Sequence, residues 1–502
     1  MRIGAKMLKS YFEELLRGVQ IRQNLSLIRN QMNEQENREE VILFVNEHAD
    51  FFKELLQEED AKIRKNVALL LGELGNSAFL ESIFEAYENE QTLFVKSSYL
   101  NAMEGFNYEE YLPRLKDHLE RLSKEKMNED NRKHLTAELR ELRELIVRKE
   151  GVTKHSFTKS KDIYDLILLT NRLHSNSTKQ QILESGFEGE VSDFTAGLRV
   201  KTNQIAELMK IRTIQEVLFL IPKMHTCQMD PVLAGKKIAN SELLTFLMNN
   251  HEGEAPFYFR IELKNRMPLN KKSFFVKKLG AEIEKQTGRK LINSTTNYEF
   301  EIRLIENKEG SCNVMVKLFT LYDRRFQYRN EVIASSIKPV HAALCVQLAK
   351  NYLTNEARVL DPFCGVGTML LERNYYGKTD TCYGVDVLVD AIEKGRRNTE
   401  IAGQTIHFIN KDFEQFTHEY LFDEIITNMP FVMGKKTKED IYQIYRMFFN
   451  HVLEVLKKDG IMILYVHDPE YVEQFSKSHK LTIEKKYQVL SKENTWLYIL
   501  RY

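Results

Sequence analysis

Along the first 150 residues apolar positions recur three and four apart, with only two glycine-containing stops and no convincing period-two run, which predicts an all-helical module over 1–150. The texture changes at Ile163. Tyr164 to Thr170 reads as a strand followed by an Asn/Ser-rich turn and a helix. Phe257 to Leu263 and Tyr298 to Ile305 alternate with period two, Phe274 to Thr287 forms an amphipathic helical stripe, and Cys312 to Leu321 returns as a strand through the Glu309-Gly310 turn. This predicts an α+β domain over 155–325, then a linker over 326–339. From residue 340 onward short apolar strands alternate with helices, and Thr495 to Arg501, which holds the single tryptophan Trp496, is an alternating apolar segment that reads as a strand. The fold class expected for 340–502 is α/β, with a parallel sheet covered by helices.

A weak internal repeat runs through the helical module. An offset of 32 residues pairs Ile63 with Val95, Arg64 with Lys96, Ala68 with Leu100 and Leu74 with Phe106. The phrase Ile63-Arg64-x3-Ala68-x3-Gly72-x-Leu74-Gly75 resembles a HEAT-like repeat over roughly residues 40 to 120, with a plain helical bundle as the alternative. Such a module offers a surface and no chemistry of its own, so a protein partner is the natural expectation for it. Ser123 to Glu150, nearly all charged residues, Asn and Leu, is expected to be a solvated helix leading into the next domain.

Composition narrows the class of protein. The chain has 502 residues, 43% hydrophobic and 29% charged, which excludes a disordered or fibrous protein. Apolar runs such as Ile461 to Val466 are broken by charge long before a membrane span is reached. The first thirty residues include Glu13 and Glu14 and no small-residue cleavage site, so a cytoplasmic location is expected. Cys227, Cys312, Cys345, Cys364 and Cys382 are widely spaced without a C-x-x-C pair, which suits neither a disulfide framework nor a zinc knuckle, and no metal is expected. Charge is balanced overall at 72 basic and 72 acidic residues, but unevenly placed. Residues 1–150 hold 23 basic against 29 acidic groups, net −6, whereas 256–340 hold 17 against 9, net +8. Only the second stretch is an electrostatic candidate for binding a polyanion.

The chemistry concentrates near the C-terminus. Arg358 to Thr368 is an apolar strand that ends in Asp361 and enters a glycine loop before the helix Met369 to Tyr375. Gly365 and Gly367 let backbone approach a ligand closely, and the helix start supplies unpaired N–H groups. Nineteen residues past Gly367, Asp386 ends a second strand, where a carboxylate can accept both hydroxyl protons of a ribose. That much also describes a dinucleotide site. Two further strands decide between them: one carries Asp412 at its end, suited to the edge of an adenine, and one runs from Phe422 directly into Asn428-Met429-Pro430-Phe431, a polar acceptor, a stiffened turn and an aromatic.

Asp361-Pro362-Phe363-Cys364-Gly365-Val366-Gly367-Thr368, Asp386, Asp412 and Asn428-Met429-Pro430-Phe431 resemble, in order and spacing, the motifs of class I S-adenosylmethionine (SAM)-dependent methyltransferases that modify exocyclic amines. The wording is most similar to RNA guanine-N2 methyltransferases, and the resemblance covers 340–502. It implies a Rossmann-like domain and SAM as cofactor, held by Asp361, Phe363, Cys364, Gly365, Gly367, Thr368, Asp386, Val387, Asp412, Phe413 and Asn428. It also implies a catalytic segment in which the Asn428 side-chain oxygen and the Met429 carbonyl accept the hydrogens of the amine while Phe431 stacks on the base. Met429 stands where the family usually has a first proline. Cys364, with no local His or Asp to activate it, is expected to be a packing residue.

Upstream, 163–329 resembles the ferredoxin-like and THUMP region of the tRNA and rRNA guanine-N2 methyltransferases, ending in Arg324-Arg325-Phe326-Gln327-Tyr328-Arg329. This resemblance coincides with the +8 segment and implies RNA contacts by Lys271, Lys272, Lys277, Lys278, Arg289, Lys290, Arg324, Arg325 and Arg329. The leading expectation is methyl transfer to guanosine N2 in structured RNA, tRNA ahead of rRNA. Adenine N6 in RNA or DNA, a glutamine amide in protein, and a SAM-binding scaffold without turnover are the alternatives.

Overall fold

The computed structural model describes residues 2–32, 35–123, 130–150, 155–158 and 162–502. The chain divides into two compact units, 1–153 and 154–502.

The first unit is helical, as its periodicity predicts. Ala61–Leu74 and Leu93–Met103, the two helices related by the 32-residue offset, pack on each other and bury matching positions: Ile63 with Val95, Val67 with Tyr99, Ala68 with Leu100, Leu71 with Met103. Their backbones touch. A Cβ on Gly72 would come within 2.5 Å of the Ala102 Cα, so only glycine permits this crossing. Asp60 caps the first helix through the Lys62 N–H, and the Arg64 guanidinium holds buried Glu90 at 2.8 Å. The charged stretch forms the helix Arg132–Glu150, but it is not the solvated helix expected: Leu135, Leu139, Leu142 and Leu145 are buried on one face, and Leu142 and Leu145 join the core of the unit. Residues 124–129 of that expectation lie outside the described residues.

The second unit holds two large sheets and a two-stranded ribbon in which Ser156–Phe157 pairs with His251–Glu252. Residues 164–318 form a nine-stranded sheet in which Phe300–Glu306 pairs antiparallel with Cys312–Leu318 and parallel with Phe257–Lys264. The helices Pro231–Ala239 and Leu269–Gln286 lie against it, so the region is α+β as expected, and the strand after the Glu309-Gly310 turn ends at Leu318.

The second sheet has seven strands: β1 (Ala357–Asp361), β2 (Thr379–Asp386), β3 (His407–Asn410), β4 (Phe422–Asn428), β5 (Leu456–Val466), β6 (Thr482–Leu490) and β7 (Thr495–Arg501). Their order is β3-β2-β1-β4-β5-β7-β6, parallel except for β7, which pairs antiparallel with both neighbours. The strands read as near-continuous apolar runs because helices cover both faces. The chain leaves β1 towards β3 and returns to β4 beside β1, and that switch point opens a crevice at the carboxyl ends of the strands. Buried Arg373 bonds Glu424 at 2.7 and 3.1 Å, and Glu424 also accepts the Thr354 N–H, which fixes β4 beneath the crevice.

The two large sheets of this unit are joined by buried and half-buried polar contacts. Glu372 is buried and accepts from Arg212 at 2.6 and 2.7 Å and from the Tyr328 hydroxyl at 2.6 Å. Asn171 and His174 reach the Val489 and Gln488 carbonyls. The stretch 326–339, expected as a linker, is built into this junction and into the wall of the crevice.

Candidate functional site

Asp361, Asp386 and Asn428 end β1, β2 and β4, so three side chains that are far apart in sequence converge on one rim. They line a cavity of about 420 Å³ together with Pro362 to Val366, Thr368, Val387, Leu388, Asp412, Phe413 and Met429 to Phe431. The expected site residues are thus brought together, with Gly367 just behind them. Gly365 and Gly367 have φ of +51° and +79°, and a Cβ at Gly367 would meet Phe408 at 2.9 Å. The loop is pinned to β2, because the Cys364 N–H donates to the Val385 carbonyl and the Gly365 N–H to the Asp386 carboxylate, each at 2.9 Å.

Asp386 also accepts the Leu388 N–H at 2.9 Å through its other oxygen. Each oxygen keeps a lone pair for a ribose hydroxyl, so the carboxylate is already aligned when a ligand arrives. Asp412 takes the Glu414 N–H on one oxygen and is exposed at the cavity edge. Phe413 is buried among Phe363, Phe448 and His451, and forms an apolar wall. Burial raises the Asp361 carboxyl to about 7, in spite of the Phe363 N–H it accepts, and the Asp386 charge adds to the effect. Cys364 packs against Gly384, and burial pushes its thiol well above the usual range, so it is no nucleophile.

Two lining residues carry a buried oxygen without a hydrogen-bond partner, the Thr368 hydroxyl and the Asn428 Oδ1. The Asn428 amide nitrogen donates to the Ser335 carbonyl at 3.2 Å, which leaves the oxygen for another donor. An orphaned buried acceptor costs about 1–3 kcal/mol, so a ligand donor is the expected partner. Met429 explains itself in the fold: its side chain is in the core, and its N–H donates to the Tyr465 carbonyl at 2.9 Å, a bond proline could not make. Phe431 stacks on His467 with ring centroids 4.1 Å apart and planes at 24°.

Several lining residues carried no sequence signal. Ile333, Ser335, Ser336 and Ile337 form one wall, held where Asn398 exchanges two hydrogen bonds with the Glu331 backbone, both 2.9 Å. Lys411, Met433 and Lys436 complete the rim, and His467 backs the aromatic. Among these Lys411, next to Asp412, and Met433, two residues past Phe431, lay beside a recognisable motif.

The basic residues separate into two groups. Lys271, Lys277 and Lys278 are exposed on the helix Leu269–Gln286, where Lys271, Phe274 and Lys278 share a face, and Phe274 is 68% exposed. Lys290 and Arg324 are exposed too, the latter over the Tyr322 ring at 5.6 Å. Lys272, Arg289 and Arg329 are half-buried, and Arg289 lies 3.9 Å from Glu284. Arg325 corrects the expectation of an RNA contact: it is buried, paired with Asp323 at 2.6 Å, and donates to the Ile211 and Ile214 carbonyls. It is a structural residue of the junction.

Comparison with known proteins agrees with this geometry. Residues 327–495 match the methyltransferase domain of the RMKL-like UPF0020 family. A probable tRNA (guanine(10)-N2)-dimethyltransferase of Methanothermococcus thermolithotrophicus is 30% identical over 114 residues, 21% of this chain and 67% of the relative. The chain belongs to the RMKL-like methyltransferases. It is related to the tRNA guanine-N2 enzymes, and its methyl donor is SAM. The family match begins at 327, which places the junction and the Ile333–Ile337 wall inside the methyltransferase domain. Two solved structures share the fold: SMU.472, crystallised in complex with SAH (TM-score 0.54, 13% identity, 68% of this chain and 99% of that one), and a predicted N6-adenine-specific DNA methylase from Listeria monocytogenes (TM-score 0.51, 15% identity, 67% and 96%).

The cavity suits the cofactor of this family. Asp386 would hold the ribose, Asp412 the adenine edge, and Asp361 with the Thr368 hydroxyl the cationic amino-acid end. When bound, SAM supplies a methyl group on a sulfonium. The protein's own part is to exclude water, to orient the acceptor and to hold its hydrogens.

Proposed function

We propose that this methyltransferase modifies the exocyclic N2 amine of a guanosine in structured RNA, tRNA in the first place. The observation that carries the reading is the Asn428 Oδ1, buried and without a hydrogen-bond partner, on a residue that lines the cavity together with Met429 and Phe431. An aromatic amine is a poor nucleophile because its lone pair is delocalised into the ring. Two acceptors that hold its hydrogens, Asn428 Oδ1 and the Met429 carbonyl, localise that pair towards the methyl group. Asn has no carboxylate to act as a base, so proton loss follows transfer. The target base has to leave its stack to reach the cavity, and Phe431 offers a ring to receive it.

The RNA assignment is supported by the tRNA-named relative and by the +8 segment, in which exposed Lys271, Lys277 and Lys278 lie on one helix with exposed Phe274 among them. Its THUMP-like character and the HEAT-like character of the first unit belong to the same proposal, with the first unit as a docking surface for a protein. Asn428→Ala removes the acceptor and the one cofactor contact expected of Asn428, and leaves those of Asp361, Asp386 and Asp412. Transfer should fall by at least about a hundredfold, the scale of losing one oriented hydrogen-bonding group in a transition state, with SAM affinity within a fewfold by calorimetry. Unchanged turnover would refute the assignment.

A further inference from the structure

Asn428 to Phe431 lacks the rigid first proline, and the structure shows what holds it instead. β4 and β5 run in parallel register with Asn428 opposite Tyr465, and the Met429 N–H donates to the Tyr465 carbonyl. Just beyond the ends of both strands the tie is repeated by side chains, because Phe431 and His467 stack face to face at 4.1 Å. At that separation nothing can enter between the rings, so an acceptor base has only the opposite face of Phe431 to use. His467 also meets Tyr465 edge-on at 5.8 Å, which fixes the imidazole from below. Burial lowers its proton affinity, so the ring that backs Phe431 is the neutral one.

We infer that His467 is a positioning residue of the transfer reaction, a flat backing plate that sets the plane of Phe431 and through it the plane of the acceptor base. This rests on the proposal that the acceptor stacks on Phe431. His467 touches no reacting atom. It restores, by stacking, the stiffness that a proline at position 429 would have given.

The test is a double-mutant cycle on the full chain with SAM and bulk unmodified tRNA, in which His467→Ala, Phe431→Ala and the pair are compared. His467→Ala should lower kcat/KM for the acceptor about tenfold and leave SAM affinity within twofold. His467→Phe should restore the rate, whereas His467→Leu, which fills the volume without a flat face, should not. The pair should be no worse than Phe431→Ala alone. Additive losses, equal rescue by leucine, or a parallel loss of SAM affinity would overturn the role of His467 while the wild-type protein still methylates RNA. If the wild-type protein methylates only protein or DNA, the RNA reading fails, and the same cycle on that acceptor still decides the role of His467. Absence of transfer to any acceptor overturns both.

Discussion

Asp361 shows how much one position can carry. It ends β1 in a fully buried setting, and burial holds its carboxyl at about 7 against an ordinary value of 3.8. A group whose folded-state affinity for protons is raised stabilises the fold fully below 3.8 and loses that contribution as pH rises through 7. The ionised form therefore burdens the unliganded protein at neutral pH, and a cationic ligand relieves it. SAM affinity should fall about tenfold between pH 8 and pH 6, because at the lower pH binding must first expel a proton. Calorimetric titrations across that range check this. Asp361→Asn should flatten the dependence, weaken SAM binding, and raise the unliganded unfolding midpoint at pH 8; a pH-independent affinity in the wild type would contradict the role given to this carboxylate. Met429 is legible in the same terms. It departs from the family pattern in the sequence, and the departure makes sense only once its N–H is seen bonded to Tyr465.

At the scale of elements, the cofactor rim was legible because Asp361, Asp386 and Asn428 end strands and Asp412 follows one by two residues, and strand ends are marked by the change from apolar run to acid, glycine or Asn-x-Pro. The wall from Ile333 to Ile337 was not, since two serines and two isoleucines form no local pattern and their place is set by Asn398, about sixty residues on. The basic cluster was half legible. Lys271, Lys277 and Lys278 alternate with apolar positions on a helix, which fixes their outward face, whereas Arg324 and Arg325 are neighbours with opposite fates decided by Asp323 and two distant carbonyls. The same junction gives a stability prediction. Glu372 is the shared acceptor of Arg212 and Tyr328, so Glu372→Ala leaves a buried guanidinium and a buried hydroxyl unpaired. Breaking a buried pair from one side costs about 3–5 kcal/mol. The unfolding midpoint of the second unit should drop accordingly in a thermal melt, and a change of less than about 1 kcal/mol would show that water replaces the carboxylate.

For the molecule as a whole, chemistry and electrostatic reach belong to one unit and surface to the other. The helical unit is acidic, net −6 over 1–150, whereas the second unit joins a SAM cavity to a basic α+β region through a buried polar junction. The arrangement of orphaned acceptor, aromatic floor and basic segment has a single consequence that can be read directly. Transfer of labelled methyl from SAM into unmodified tRNA, rRNA, DNA and protein pools, followed by mass spectrometry of the digested acceptor, identifies the modified atom. The account predicts N2-methylguanosine from the tRNA pool; N6-methyladenosine, or label confined to protein, would contradict it.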